Sequence, residues 1–154
     1  QSFLDNKDYD GALANLDEAI VKNPTKGIYH FVKGNILQTE LKDLDAALIE
    51  YKRAVELDST LSDAMYMCGL VYIDRANEIT EQMNNLGLNE TRKYNALKDK
   101  QKGVFEESLQ YFEKSYEMNP NDMDIVRALM EVYSKVGDYQ KSMDMKAVLE
   151  AATE

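Results

Sequence analysis

A chain of 154 residues with 44% hydrophobic and 30% charged side chains is long enough for a real core, and its composition excludes disordered, collagen-like and disulfide-scaffold classes. Seven Gly and two Pro are too few for strands joined by tight turns, so helices are expected throughout. The formal net charge of −10 repels phosphate backbones and anionic headgroups, which argues against nucleic acid or membrane insertion as the business of the chain.

Cys68, alone of its kind, permits no internal disulfide and leaves the redox compartment open. No run of 18 apolar residues is present. The start at Gln1 lacks both an initiating Met and the apolar core of a signal peptide, so the chain reads as a trimmed or processed fragment of a longer protein.

In chain order, the first predicted helix carries Ala12, Leu16 and Ala19 on one face and stops before Pro24. The same small-large-small face returns as Ala47, Tyr51 and Ala54, then as Ser108, Phe112 and Ser115 before Pro120, and more weakly from Gly137 to Met143. Small residues at this spacing let a second helix approach while the large one fills the gap. A preceding helix is expected over residues 28–40, 62–74 and 122–136, and the first two contain Gly34 and Gly69 in mid-helix. Gly there costs roughly 0.5–1 kcal/mol relative to Ala, so the pair implies a neighbour too close for a Cβ. The result is an all-helical array of helix-turn-helix hairpins.

Corresponding small residues Ala12, Ala47, Ser108 and Ser142 are 35, 61 and 34 positions apart, so the third hairpin holds about 27 extra residues, with its tip at about 76–102. Apolar residues continue through Ala76, Ile79, Met83 and Leu86 and resume at Tyr94, Leu97, Val104 and Phe105, as two longer helices would. The turn is expected at 85–89, with Gly87 in a left-handed conformation and Asn89 capping the next helix. Acidic Asp74, Glu78 and Glu81 are expected to pair with Arg92, Lys93, Lys98, Lys100 and Lys102 on the returning arm.

Catalytic chemistry has thin material in one His and one Cys, with no orienting acid evident beside His30 or Cys68. The segment from Asn6 to Gly11 imitates a calcium loop but lacks the leading Asp and the closing Glu, so Asp8 is read as a helix cap. No enzyme, cofactor or metal is expected.

Gly34, Leu37, Ala47, Tyr51 and Ala54, then Gly69, Tyr72, Ser108, Phe112, Ser115 and Pro120, then Tyr133, Gly137, Asp138 and Tyr139 together resemble the tetratricopeptide repeat family. The chain departs from the family pattern at His30, Lys33, Met65, Val126, Met130 and Lys146, the last fitting a polar final helix. The resemblance implies a right-handed α-solenoid in one domain: a partial repeat over 1–25 with a stub at Phe3 and Leu4, a second repeat over 26–59, an elongated third over 60–120, and a fourth with a C-terminal cap over 121–154. The long hairpin is similar in general pattern to exported repeat proteins of Bacteroidetes-type bacteria, which implies a periplasmic address.

It further implies a non-catalytic scaffold that binds a protein or peptide on a concave face lined by the first helix of each hairpin. The repeat register aims Ile28, Phe31, Asn35 and Gln38, then Tyr66, Leu70 and Ile73, then Arg127, Glu131 and Ser134 at that face. This grades from apolar to mixed charge and suits an amphipathic or hydrophobic segment. Self-association through the elongated hairpin is the competing reading. Some members hold a chaperone's C-terminal carboxylate with a basic clamp; the matching sites here are Phe31 and Asn35, Tyr66 and Leu70, Arg127 and Glu131, so that ligand is not expected.

Overall fold

The computed structural model describes residues 8–152, so the stub at Phe3 and Leu4 and the head of the calcium-like segment, Asn6 and Lys7, lie outside the described residues. Every regular element among the described residues is helical: α1 (Tyr9–Lys22), α2 (Gly27–Thr39), α3 (Leu44–Leu57), α4 (Ser62–Asn84), α5 (Thr91–Met118), α6 (Met123–Val136) and α7 (Tyr139–Ala151). Four of them open on an aspartate whose carboxylate accepts a first-turn N–H: Asp8 from Gly11, Asp43 from Ala46, Asp122 from Asp124 and Asp138 from Lys141. At the other ends, α1 and α5 finish one residue before the asparagines that precede Pro24 and Pro120. Gly137, at φ 92°, ends α6 in the left-handed conformation, and the Asp138 N–H donates back to the Tyr133 carbonyl at 2.8 Å.

The chain divides into two compact units, residues 1–64 and 65–154. In the first, α2 packs against α1 and α3. Ala47, Tyr51 and Ala54 of α3 have no exposed surface, and a Cβ on Gly34 of α2 would meet the Tyr51 ring at 2.6 Å. α1 buries no residue completely, so Ala12, Leu16 and Ala19 are half-covered.

In the second unit Ser108, Phe112 and Ser115 of α5 are likewise fully buried, and a Cβ on Gly69 of α4 would meet the Phe112 ring at 2.6 Å. Phe112 shares a core with Ala76, Phe105, Ile125, Leu129, Val132 and Tyr133, which ties α4, α5 and α6 together. The last helix, α7, packs on α6 and has no buried residue; Lys146 stays exposed beside Glu150 at 3.8 Å. Its Ser142 hydroxyl donates to the Met130 carbonyl at 2.8 Å.

α4 has 23 residues and α5 has 28, against 13 or 14 in each of the other helices. The turn between them differs from the expected one. Gly87 does not take positive φ, and the cap position of α5 is Glu90 in place of Asn89. The Glu90 carboxylate reaches back to accept the Gly87 N–H at 2.9 Å and pairs with Lys93, closing the turn without a left-handed residue. The arms are not laced by charge either. Lys93 pairs with Glu90 and Lys102 with Glu106, both within one helix or its cap, and neither Glu78 nor Glu81 meets a cation among the described residues. The cations of the returning arm are exposed to water, and the cross-link is a half-buried amide: Gln101 donates to the Ala76 carbonyl at 3.1 Å and the Thr80 hydroxyl at 2.6 Å.

Candidate functional site

In the second unit the faces of α4 and α6 enclose a cleft of about 250 Å³. Tyr66, Leu70 and Ile73 recur at helical spacing along α4 and form its floor with Ala128, all four packing onto the buried cluster around Phe112. The Tyr66 and Phe112 ring centroids lie 5.6 Å apart in a tilted arrangement. From α6 come Asp124, Arg127 and Glu131, which form a charged rim. Arg127 pairs with Asp124 at 2.6 Å, whereas Glu131 is exposed and has no ion pair among the described residues. Burial, and then the nearby carboxylates of Asp124 and Asp122, push the Tyr66 phenol above its usual range, against a smaller opposing pull from Arg127. The cleft is therefore apolar inside with a net negative surround.

Five expected site residues, Tyr66, Leu70, Ile73, Arg127 and Glu131, thus line one depression. Ser134 of α6 is exposed and does not line it, and the first unit holds four more on α2. Ile28 is 44% exposed, and Phe31 is half-buried with its ring 5.9 Å from that of Tyr51. Asn35 and Gln38 are turned to internal use: the Tyr51 hydroxyl lies 2.7 Å from the Asn35 amide and 3.0 Å from that of Gln38, and Gln38 is buried. The expectation that Gln38 faces a ligand meets this obstacle, because a buried phenol needs a polar partner and Gln38 supplies it.

Sequence reasoning also missed an ionic network in the first unit. The Glu50 carboxylate of α3 meets His30 Nδ1 at 2.6 Å and Lys33 Nζ at 2.9 Å, and Lys33 reaches Asp17 of α1 at 2.8 Å. An acid therefore does orient His30, which the sequence pattern had not suggested. Burial works against the Lys33 ammonium, yet the hydrogen bonds it donates to Asp17 and Glu50, with their charges, outweigh it and raise its pKa. The network joins α1, α2 and α3. A family-atypical His30 and Lys33 three apart on one helix face were the available signal.

No helix among the described residues is long and apolar enough to cross a membrane. The family model described as "Tetratricopeptide repeat" matches residues 29–61 and 100–122. Among solved structures, MamA aligns with a TM-score of 0.64 and 16% identity over 90% of this chain and 60% of its own. A TPR repeats protein from Bacteroides fragilis NCTC 9343 aligns with a TM-score of 0.64 and 21% identity over 83% of this chain and 61% of its own. The chain thus spans about 60% of the length of these two relatives, and at such identity the likeness concerns the fold. No curated protein sequence matches the chain. Tetratricopeptide repeats serve in general as non-catalytic scaffolds for protein–protein contact. Paired helices closed by Gly34 against Tyr51 and Gly69 against Phe112, the two matched segments and the shared fold lead to one conclusion: the chain carries tetratricopeptide-repeat sequence over the matched residues and has the fold of tetratricopeptide repeat proteins.

Proposed function

We propose that this chain is a binding module whose α4–α6 cleft takes an apolar or amphipathic segment of a partner protein. The observation that carries the reading is the convergence of Tyr66, Leu70 and Ile73 on a 250 Å³ depression rimmed by Asp124, Arg127 and Glu131. An apolar floor supplies affinity by burying a partner's side chain, and a polar rim fixes its orientation. Ile28 and Phe31 on α2 offer a second, smaller apolar patch for the same kind of ligand.

Selection of a random peptide library on the full chain tests this, with affinities of the selected peptides measured by fluorescence anisotropy. Peptides with an apolar anchor are expected, and Glu131→Lys or Arg127→Glu should change their binding by about 1–3 kcal/mol while leaving the melting temperature unchanged, since both side chains are exposed. Tyr66 and Phe31 are poorer probes, because each ring also packs on a buried ring. Selected peptides that bind both variants like the parent chain overturn the assignment of the cleft.

A further inference from the structure

We propose that the α4–α5 turn is a self-recognition knob that seats in the α4–α6 cleft of a second copy of this chain. Leu88 at the tip is completely exposed and Tyr94 is 43% exposed, although the turn itself is closed by Glu90 and needs no large apolar side chain at residue 88. Leu88 lines a shallow depression with Met83, Leu86 and Tyr94, so the tip presents a small apolar patch and not a lone side chain. Beside it, residues 91–102 carry five cations, Arg92, Lys93, Lys98, Lys100 and Lys102, against the single acid Asp99. That is a local charge of +4 in a chain of −10, so the remainder carries −14. Arg92, Lys98 and Lys100 are exposed and have no ion pair among the described residues.

The receptor for an apolar tip flanked by cations is an apolar pocket with carboxylate to spare, and the cleft has that character: Leu70 and Ile73 below and, at the rim, Asp124, matched by Arg127, and Glu131, with no ion pair among the described residues. The tip cannot fill its own cleft. Leu70 and Asn84, where α4 ends, are 14 residues apart on one continuous helix, about 21 Å at 1.5 Å per residue. A tip that enters this cleft therefore comes from another molecule, and a second copy supplies both halves of the match. Because knob and cleft are different surfaces, the contact is head-to-tail and each copy can bind two others.

The proposal rests on the cleft being a receptor, as above, and adds its occupant. One side chain and a few exposed ion pairs make a small interface, so association is weak and salt-sensitive. Sedimentation velocity of the full chain from about 10 µM to about 1 mM should show rising mass at low salt and its loss at high salt. Leu88→Asp and Glu131→Lys should each abolish the rise. A mixture of Glu131→Lys with a Lys98→Glu/Lys100→Glu variant should restore it, since the charges are then exchanged across the contact. A chain that stays monomeric throughout overturns the proposal, and so does association lost in Leu88→Asp but kept in Glu131→Lys, which would mean tip-to-tip pairing. Peptide binding that survives in Leu88→Asp while self-association is absent in the parent chain separates failure of this proposal from failure of the cleft reading.

Discussion

A Cβ on Gly34 would lie 2.6 Å from Cε1 of Tyr51, a separation that carbon atoms do not tolerate. Gly69 stands in the same relation to Phe112. Gly34→Ala should therefore cost about 1–2 kcal/mol in urea unfolding, the overpacking outweighing the gain in helix propensity. In a Tyr51→Leu background the same step should cost less, because the ring atom that blocks it is gone. Equal costs in both backgrounds would assign the penalty to something other than this ring.

Gly103 lies within α5, and apart from its own helix backbone and chain neighbours nothing comes within 4 Å of where its Cβ would be. Gly103→Ala should stabilise the chain by about 0.5–1 kcal/mol through helix propensity alone. A rise in the denaturation midpoint checks it, and the opposite signs at residues 34 and 103 would separate the two roles of a helical glycine.

Tyr133 donates its hydroxyl to Glu113 at 2.7 Å, and burial together with that carboxylate holds the phenol far above its ordinary range. Its folded pKa is raised, so the contribution is complete below the unfolded value of about 10 and is lost as pH climbs towards the folded value. Tyr133→Phe should cost about 1 kcal/mol at neutral pH and show a shallower loss of stability above about pH 10 than the parent chain. Parallel pH profiles for the two proteins would refute the linkage.

Thr80 and Gln101 are hydrogen-bonded neighbours at 2.6 Å, so a short turn can replace residues 81–100 without stretching the chain. That deletion should leave a cooperatively folding protein, read by circular dichroism and thermal melting. A deletion beginning at Ala76 should instead destabilise it severely, because Ala76 has no exposed surface and Ile79 only 4%. If the shorter deletion also unfolds the chain, the outer arm contributes to the core.

The helical hairpins were legible because their signals are steric and local. Pro24 and Pro120 lack the donor that a continuing turn needs, and a glycine in mid-helix, unfavourable by itself, marks the place where a ring of the next helix presses on the backbone. The cap at Asp8 follows from the same short-range rules, and the structure adds like caps at Asp43, Asp122 and Asp138. The turn at 85–90 was not legible, since Asn89, Glu90 and Gly87 each offer a workable closure and the choice depends on where the Glu90 side chain can reach. Nor could spacing show that Gln101 would cross to Ala76 and Thr80 while the arm's cations faced water.

Sequence by itself thus determined the helical content, the paired packing and the repeat pattern, because periodicity and excluded volume act within a turn or between fixed repeat positions. Tertiary structure alone decided which of the surface residues remain available. Asn35 and Gln38 are drawn to the Tyr51 hydroxyl, His30 and Lys33 to Glu50, whereas Tyr66, Leu70, Ile73, Arg127 and Glu131 line one cleft. Those outcomes depend on the rotation of one helix against another, and a few degrees there decides whether a polar side chain meets water or a buried partner.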